Sequence, residues 1–202
     1  CAPAAYAIRC YTWVSATQTL DDAALSYSHT AWGGGGGGPT ANINYRPVAV
    51  ATDTDGIGDL YVALHLKSDP AAGLTLRFTH ATFRTDGVPT TASLTHSSGV
   101  ALNPVSGVSY FTNDNTNVLE RWSASLGAID WSYGGDGTDS FSAPYGVALN
   151  MADTTLWLAN AGTGELMKIQ DNGGASTPTI VTTVSPPPGA LQNPGDIAVD
   201  ED

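Results

Sequence analysis

The sequence predicts an all-β chain assembled from repeated four-stranded antiparallel sheets. Three observations lead there. First, one pattern recurs: a short apolar strand, a polar turn and a second apolar strand. It reads GVALNMADTTLWLAN at residues 146–160, GVALNPVSGVSYFTN at 99–113 and PVAVATDTDGIGDLYVAL at 47–64, and it begins again as GDIAVDED at 195–202. Second, the copies are evenly placed: Val48, Val100, Val147 and Ile197 mark the same step, at spacings of 52, 47 and 50 residues. Third, helix formers are scarce. The 202 residues hold two Met, two Lys and three Glu against 23 Gly and 12 Pro, a balance that favours strands and turns.

Inside each complete copy the apolar runs are four to six residues long and alternating or continuous, which is strand behaviour. A third β-prone segment follows each pair, at 74–78, 118–122 and 165–169, and a fourth follows in the later copies, at 128–133 and 179–184. Four strands per period of this length is the arithmetic of a propeller blade, a small sheet that buries its faces against its neighbours. The expected architecture is therefore a propeller-like array with about four blades present, in an incomplete ring or an unusual closure.

Two segments are expected: 1–45, with N-terminal strands and a Gly-rich loop, and 46–202, with the blades and a truncated last repeat. In the first segment, residues 6–14 (YAIRCYTWV) and 24–32 (ALSYSHTAW) read as strands, and 20–25 (LDDAAL) as one helical turn or part of a loop. Six glycines at 33–38 follow. They formally contain G-x-G-x-x-G, but no apolar strand leads into a helix there, so the run reads as a flexible loop and not a dinucleotide site. Gly-, Pro- and Asp-rich connectors lie at 134–144 and 185–194, the latter with a rigid turn at Pro186, Pro187 and Pro188.

The charge balance excludes some function classes. Seven Lys plus Arg against 19 Asp plus Glu give a formal charge of −12. Nucleic acid and anionic membrane both require a basic footprint, which this chain lacks. The same balance is compatible with cation binding and a mutually repelling surface. No apolar run approaches the roughly 20 residues of a membrane helix. The chain starts at Cys1, not Met, so a removed leader and an extracellular or cell-surface location are expected. Cys1 and Cys10 are the two cysteines; a disulfide between them would contribute about 2–3 kcal/mol on loop-entropy grounds. A lipid-modified Cys1, or two free thiols, are the other readings.

At Pro144-Tyr-Gly-Val-Ala-Leu149, Leu156-Trp-Leu-Ala-Asn160 and Pro194-Gly-Asp-Ile-Ala-Val199 the chain resembles the NHL repeat: a Pro, a small residue, an apolar-Ala-apolar strand, a turn, then an aromatic-apolar-Ala-Asp/Asn strand. The GGDG at 134–137 is similar to connectors between such repeats. The resemblance covers about 33–202. It implies kinship with six-bladed propellers, including gluconolactonase-like and regucalcin-like hydrolases. Two departures stand out. The Asp or Asn after the second strand is Asn113 and Asn160 here, but Leu64 in the first copy. Three complete repeats also fall short of a six-bladed ring, so a fragment of a larger polypeptide, or a ring completed by another molecule, is expected.

Candidate chemistry is sparse. Asp53, Asp55 and Asp59, with Gly58 between them, resemble the start of a calcium loop, although position five is Ile57 and position twelve is Leu64. Three carboxylates and backbone carbonyls would still hold a hard cation; the competing reading is a solvated turn between strands. Asn113, Asp114, Asn115 and Asn160 form a second group. In the gluconolactonase-like relatives the resemblance implies that such side chains hold calcium in the central channel. The equivalence of Asn113 and Asn160 points instead to a turn-capping Asx hydrogen bond. His29, His65, His80 and His96 have no metal-ligand spacing. No G-x-S-x-G elbow, Walker phosphate loop or N-x-[ST] sequon occurs. The five Trp read as packing between blades, or as platforms for a carbohydrate partner.

The function expected on these grounds is non-enzymatic: a secreted scaffold or interaction module of a larger extracellular protein or filament-like assembly, with protein partners or self-assembly. The alternatives are a calcium-dependent lactonase or esterase-type hydrolase, and a carbohydrate-binding propeller.

Overall fold

The computed structural model describes residues 12–14, 19–21, 45–52, 60–66, 73–78, 90–92, 97–126, 128–187 and 193–199. Strands β1 (Thr12–Val14) and β2 (Thr19–Asp21) form a two-stranded antiparallel sheet. Three four-stranded sheets follow. Blade 1 comprises β3 (Tyr45–Thr52), β4 (Leu60–Leu66), β5 (Gly73–Phe78) and β6 (Thr90–Ala92). Blade 2 comprises β7 (Gly99–Leu102), β8 (Ser109–Asn113), β9 (Val118–Trp122) and β10 (Ile129–Tyr133). Blade 3 comprises β11 (Pro144–Asn150), β12 (Thr155–Asn160), β13 (Glu165–Gln170) and β14 (Thr179–Val184). Each is an antiparallel meander in chain order. Among the described residues one helical element occurs, a 3-10 turn at Ala124–Leu126.

The predicted sheet architecture is present, with two local differences. β2 runs where a helical turn or loop was expected, and β6 closes blade 1 without an apolar signal, since TTA carries no alternation to read. The first strand of each blade is its inner edge. Pro47 and Pro144 both sit at a register shift near the start of that edge strand, where a missing N–H costs no ladder bond.

β7 lies beside β3 on one side and β11 on the other, so the inner edges of the three blades gather round a common axis. Glycine permits this approach. A Cβ on Gly99 would lie 2.3 Å from the carbonyl oxygen of Tyr145, and one on Gly146 would lie 2.7 Å from the Cα of Asp196. Residues 195–199 therefore stand to β11 as β11 stands to β7: they are the inner edge of a fourth repeat.

The blades stack through alternating side chains. Along β8, Phe111 joins Tyr61, Val100, Trp122 and Leu126 in the core between blades 1 and 2. Its neighbour Tyr110 points the other way, into the core between blades 2 and 3, with Leu119, Trp131, Val147, Leu156, Leu158, Met167 and Ile169. A sheet apolar on both faces is what period-two alternation yields when each face meets another sheet. β14, the outer edge of blade 3, carries the exposed Val181 and Val184.

Candidate functional site

The antiparallel meander sorts the loops onto two rims. One rim carries the β7–β8 turn, the β11–β12 turn and the loops after β9 and β13. The other carries the β8–β9 and β12–β13 turns and the connectors between blades, including 134–143. A pocket of about 220 Å³ lies at the axis, near the connector rim. Val48, Val50 and Val100 give it apolar walls, while Ser98, Tyr145 and Asp196 supply polar groups. The buried Ser98 hydroxyl donates to Asp114 Oδ1 at 2.5 Å. Asp196 Oδ1 accepts the Ile197 N–H at 2.9 Å. Thr112 Oγ1 donates to the Tyr145 carbonyl and so ties β8 to the lead-in of β11.

The two asparagines singled out by the repeat sit at the ends of β8 and β12, both buried. Asn113 Oδ1 accepts the N–H groups of Asn115 and Thr116, at 3.1 and 3.0 Å. Asn160 Oδ1 accepts instead the N–H of Ser142, at 2.7 Å, and its Nδ2 donates to Thr163 Oγ1 and the Ser140 carbonyl. One repeat position thus clamps its own turn in blade 2, and the connector from blade 2 in blade 3. Both side-chain oxygens accept backbone N–H groups.

A second polar cluster lies on the opposite rim, farther from the axis. Arg121 on β9 bonds Asp130 on β10 through Nη1 and Asp171, just past β13, through Nε at 3.0 Å. Its Nη1 also donates to the Gly174 carbonyl at 3.2 Å, and the Tyr110 hydroxyl donates to Asp171 Oδ2 at 2.5 Å. The side chains of Arg121 and Asp171 are 11% and 8% exposed, so this ion pair is largely withdrawn from water. Burial, and then the Asp171 carboxylate, push the Tyr110 hydroxyl well above the usual tyrosine range, and it stays protonated as a donor. Sequence reasoning does not single out Arg121, Asp130 or Asp171: they fall outside the recurring strand–turn–strand motif, and Arg121 and Asp171 are 50 positions apart.

Other ionisable groups are also engaged. Asp139 Oδ2 accepts from Thr183 Oγ1 at 3.0 Å, joining the connector to β14. The N–H groups of Asp139 and Thr138 hold the Asp136 carboxyl below its usual range. Thr155 and then Lys168 bring Asp153 down to about 2. Burial raises Glu120, opposed by the hydrogen bond from the Trp122 indole. Trp122 and Trp131 are buried between blades, whereas Trp157 is half-buried with the Lys168 ammonium 5.9 Å above its ring.

Asp53, Asp55 and Asp59, together with Cys1 and Cys10, lie outside the described residues, as do His29, His80 and His96. His65 is placed on β4. Among the described residues no three of His, Cys, Asp and Glu gather as a metal-holding set, and no helix is long and apolar enough to cross a membrane.

No family model matches the chain, and no curated protein matches it. Solved structures do. A chain of a nidogen/laminin complex superposes with a TM-score of 0.62 at 12% identity, over 96% of this chain and 63% of that one. A calcium-binding protein, regucalcin, of Agrobacterium tumefaciens gives 0.58 at 16% identity, over 95% and 58%. The β-propeller domain of Cps50 (Swd1) of Myceliophthora thermophila gives 0.55 at 12%, over 78% and 48%. The fold is a β-propeller. The chain spans less than two thirds of each of these three structures. Identities this low carry the fold and nothing of the chemistry.

Proposed function

We propose that this propeller is a secreted, non-enzymatic scaffold or interaction module of a larger extracellular protein or filament-like assembly. The observation that carries the reading is the use made of the polar groups. Arg121, Asp130, Asp171 and Tyr110 on one rim, and Asn160, Asp139 and Thr183 on the other, bond blade to blade or connector to blade. Such groups stiffen a platform, and a stiff platform presents loops to a partner without losing much entropy on binding. The likeness to a chain of a nidogen/laminin complex supports a role in protein association. The charge of −12 favours a basic partner surface. Electron microscopy of the native particle, with light scattering over a concentration series, tests this. Assemblies or stable protein complexes are expected; a monodisperse particle that binds no protein and turns over lactones would overturn it.

A second reading rests on the axial pocket, where Ser98, Tyr145 and Asp196 stand among apolar walls and Ser98 donates to Asp114, and on the likeness to a protein described as calcium-binding. It is a calcium-dependent lactonase or esterase-type hydrolase. Bound-metal analysis of the purified chain separates the two: stoichiometric calcium with chelator-sensitive ester or lactone turnover favours the hydrolase.

A further inference from the structure

The sequence contains a single Asn-Gly step, Asn172-Gly173, and it stands in the exposed loop after β13. This dipeptide has a chemistry of its own. The backbone nitrogen of the glycine attacks the asparagine Cγ, the Cγ–Nδ2 bond breaks, and ammonia leaves with the proton that the glycine nitrogen gives up. Water then opens the resulting succinimide at either carbonyl, producing Asp or isoAsp. Glycine makes the step easy because no side chain obstructs the attack. Here Gly173 and Gly174 hold φ of +78° and +56°, and neither has another residue within 4 Å of where a Cβ would sit.

The loop is tied so that each participant in that reaction is occupied. The Gly173 N–H, whose proton must leave, donates to Asp171 Oδ1 at 2.9 Å. A carboxylate in that place disfavours the anionic nitrogen. The Asn172 Nδ2, the leaving group, donates to the Thr177 carbonyl at 2.8 Å and to Thr179 Oγ1 at 3.1 Å. Asp171 is itself fixed by Arg121 Nε and the Tyr110 hydroxyl across the junction, and Arg121 Nη1 reaches the Gly174 carbonyl. The ion cluster that joins blades 2 and 3 therefore also restrains the one labile amide.

We propose that Asn172 is a site of spontaneous covalent modification, deamidation to Asp and isoAsp, whose rate is set by the Arg121–Asp171 contact between blades. The product reverses the restraint. A carboxylate at 172 faces the Thr177 carbonyl with no proton to donate, adds a negative charge beside Asp171, and as isoAsp lengthens the backbone under Arg121. Modification releases the loop at 171–178 and loosens the junction irreversibly, which makes it an age-dependent switch.

The test is ageing of the full chain at mildly alkaline pH, with peptide-mapping mass spectrometry to locate amide-to-acid conversion and isoAsp. Asn172 converts before Asn115 and Asn150, and the Asp171→Ala variant converts about tenfold faster than the native chain, the scale of one lost hydrogen bond to a charged group. Thr179→Val, which removes only the Oγ1 contact, gives a smaller acceleration and covers the case in which Asp171→Ala fails to fold. Asn172→Asp, the direct product, is cut in the 171–178 loop by protease faster than the native chain. Equal rates at Asn172 in native and variant chains, conversion elsewhere first, or a protease-resistant Asn172→Asp would each overturn the proposal.

Discussion

The junction between blades 2 and 3 is held in two different ways at its two ends. At the axis, backbone meets backbone: Gly99 abuts Tyr145 and Val147, and Thr112 Oγ1 reaches the Tyr145 carbonyl. Away from the axis, charge meets charge: Arg121 gathers Asp130, Asp171 and the Gly174 carbonyl. Between the two lies the apolar layer of Leu119, Leu156, Leu158 and Met167. The axial contact depends on an absence, the missing Cβ, and recurs at Gly146, which meets Asp196 as Gly99 meets Tyr145. The outer contact depends on particular side chains, Arg121, Asp130 and Asp171. Repetition governs the first, and local chemistry the second.

Four tests would break or sharpen that contrast. The largest effect is expected at the axis. Gly99→Val forces a side chain into the Tyr145 carbonyl, a backbone atom that has no room to yield, and should cost about 3 kcal/mol or more. Gly195→Ala, at a glycine one step earlier in the fourth repeat with nothing within 4 Å, should stay within about 0.5 kcal/mol. Chemical denaturation of both variants measures the difference, and similar losses would show that close approach is not why the glycine recurs.

Next in size is the outer contact. Asp171→Ala removes the acceptor of Tyr110 and one of the two carboxylates on the largely buried Arg121. A loss of about 2–3 kcal/mol is expected, held below the full cost of an orphaned charge because Asp130 remains. In a double-mutant cycle with Arg121→Met the two losses should be strongly non-additive, and additive losses would dissolve the cluster as a unit.

The equivalent asparagines should differ by less. Asn160→Ala leaves the partly buried Ser142 N–H without its acceptor and empties the buried Asn160 site, and should cost about 2 kcal/mol. Asn113→Ala unclamps only its own turn and should cost about 1 kcal/mol. A reversed order in thermal melts would contradict the assignment of a between-blade role to Asn160.

The smallest effect is a pH dependence. Asp153 titrates near 2 in the folded chain against an ordinary 3.8, because Thr155 and Lys168 favour its carboxylate. A depressed folded value means the contribution is complete above 3.8 and is lost as pH falls through about 2. Asp153→Asn should therefore flatten the acid limb of the stability curve by lowering stability at neutral pH, only slightly since the pair is exposed, while leaving it unchanged below about pH 2. A flat native profile between those values would remove the effect.

Much of the fold was legible because its signals are local and repeated. Residues 179–184 and 118–122 read as strands and are β14 and β9; 128–133 is β10 within one residue. β6 was not legible, since Thr90–Ala92 is short, polar and paired only through its backbone. Of the polar sites, the repeat pointed to Asn113 and Asn160, but it carried no sign that Asn160 would turn to Ser142, 18 residues earlier. The acidic loop at Asp53, Asp55 and Asp59 lies outside the described residues.

The sequence by itself determined that the fold class is all-β, that its sheets recur about every fifty residues, and that a glycine stands just before the aligned Val100 and Val147 in blades 2 and 3. Those are properties of neighbouring residues and of period, which a chain carries before it folds. Only the tertiary structure decided that Arg121 would meet Asp171 across 50 positions, that Tyr110 would donate to that carboxylate, and that an Asn-Gly step would be restrained by both. Such contacts depend on how one sheet twists over the next, and a single sequence holds no record of that geometry until packing has selected it.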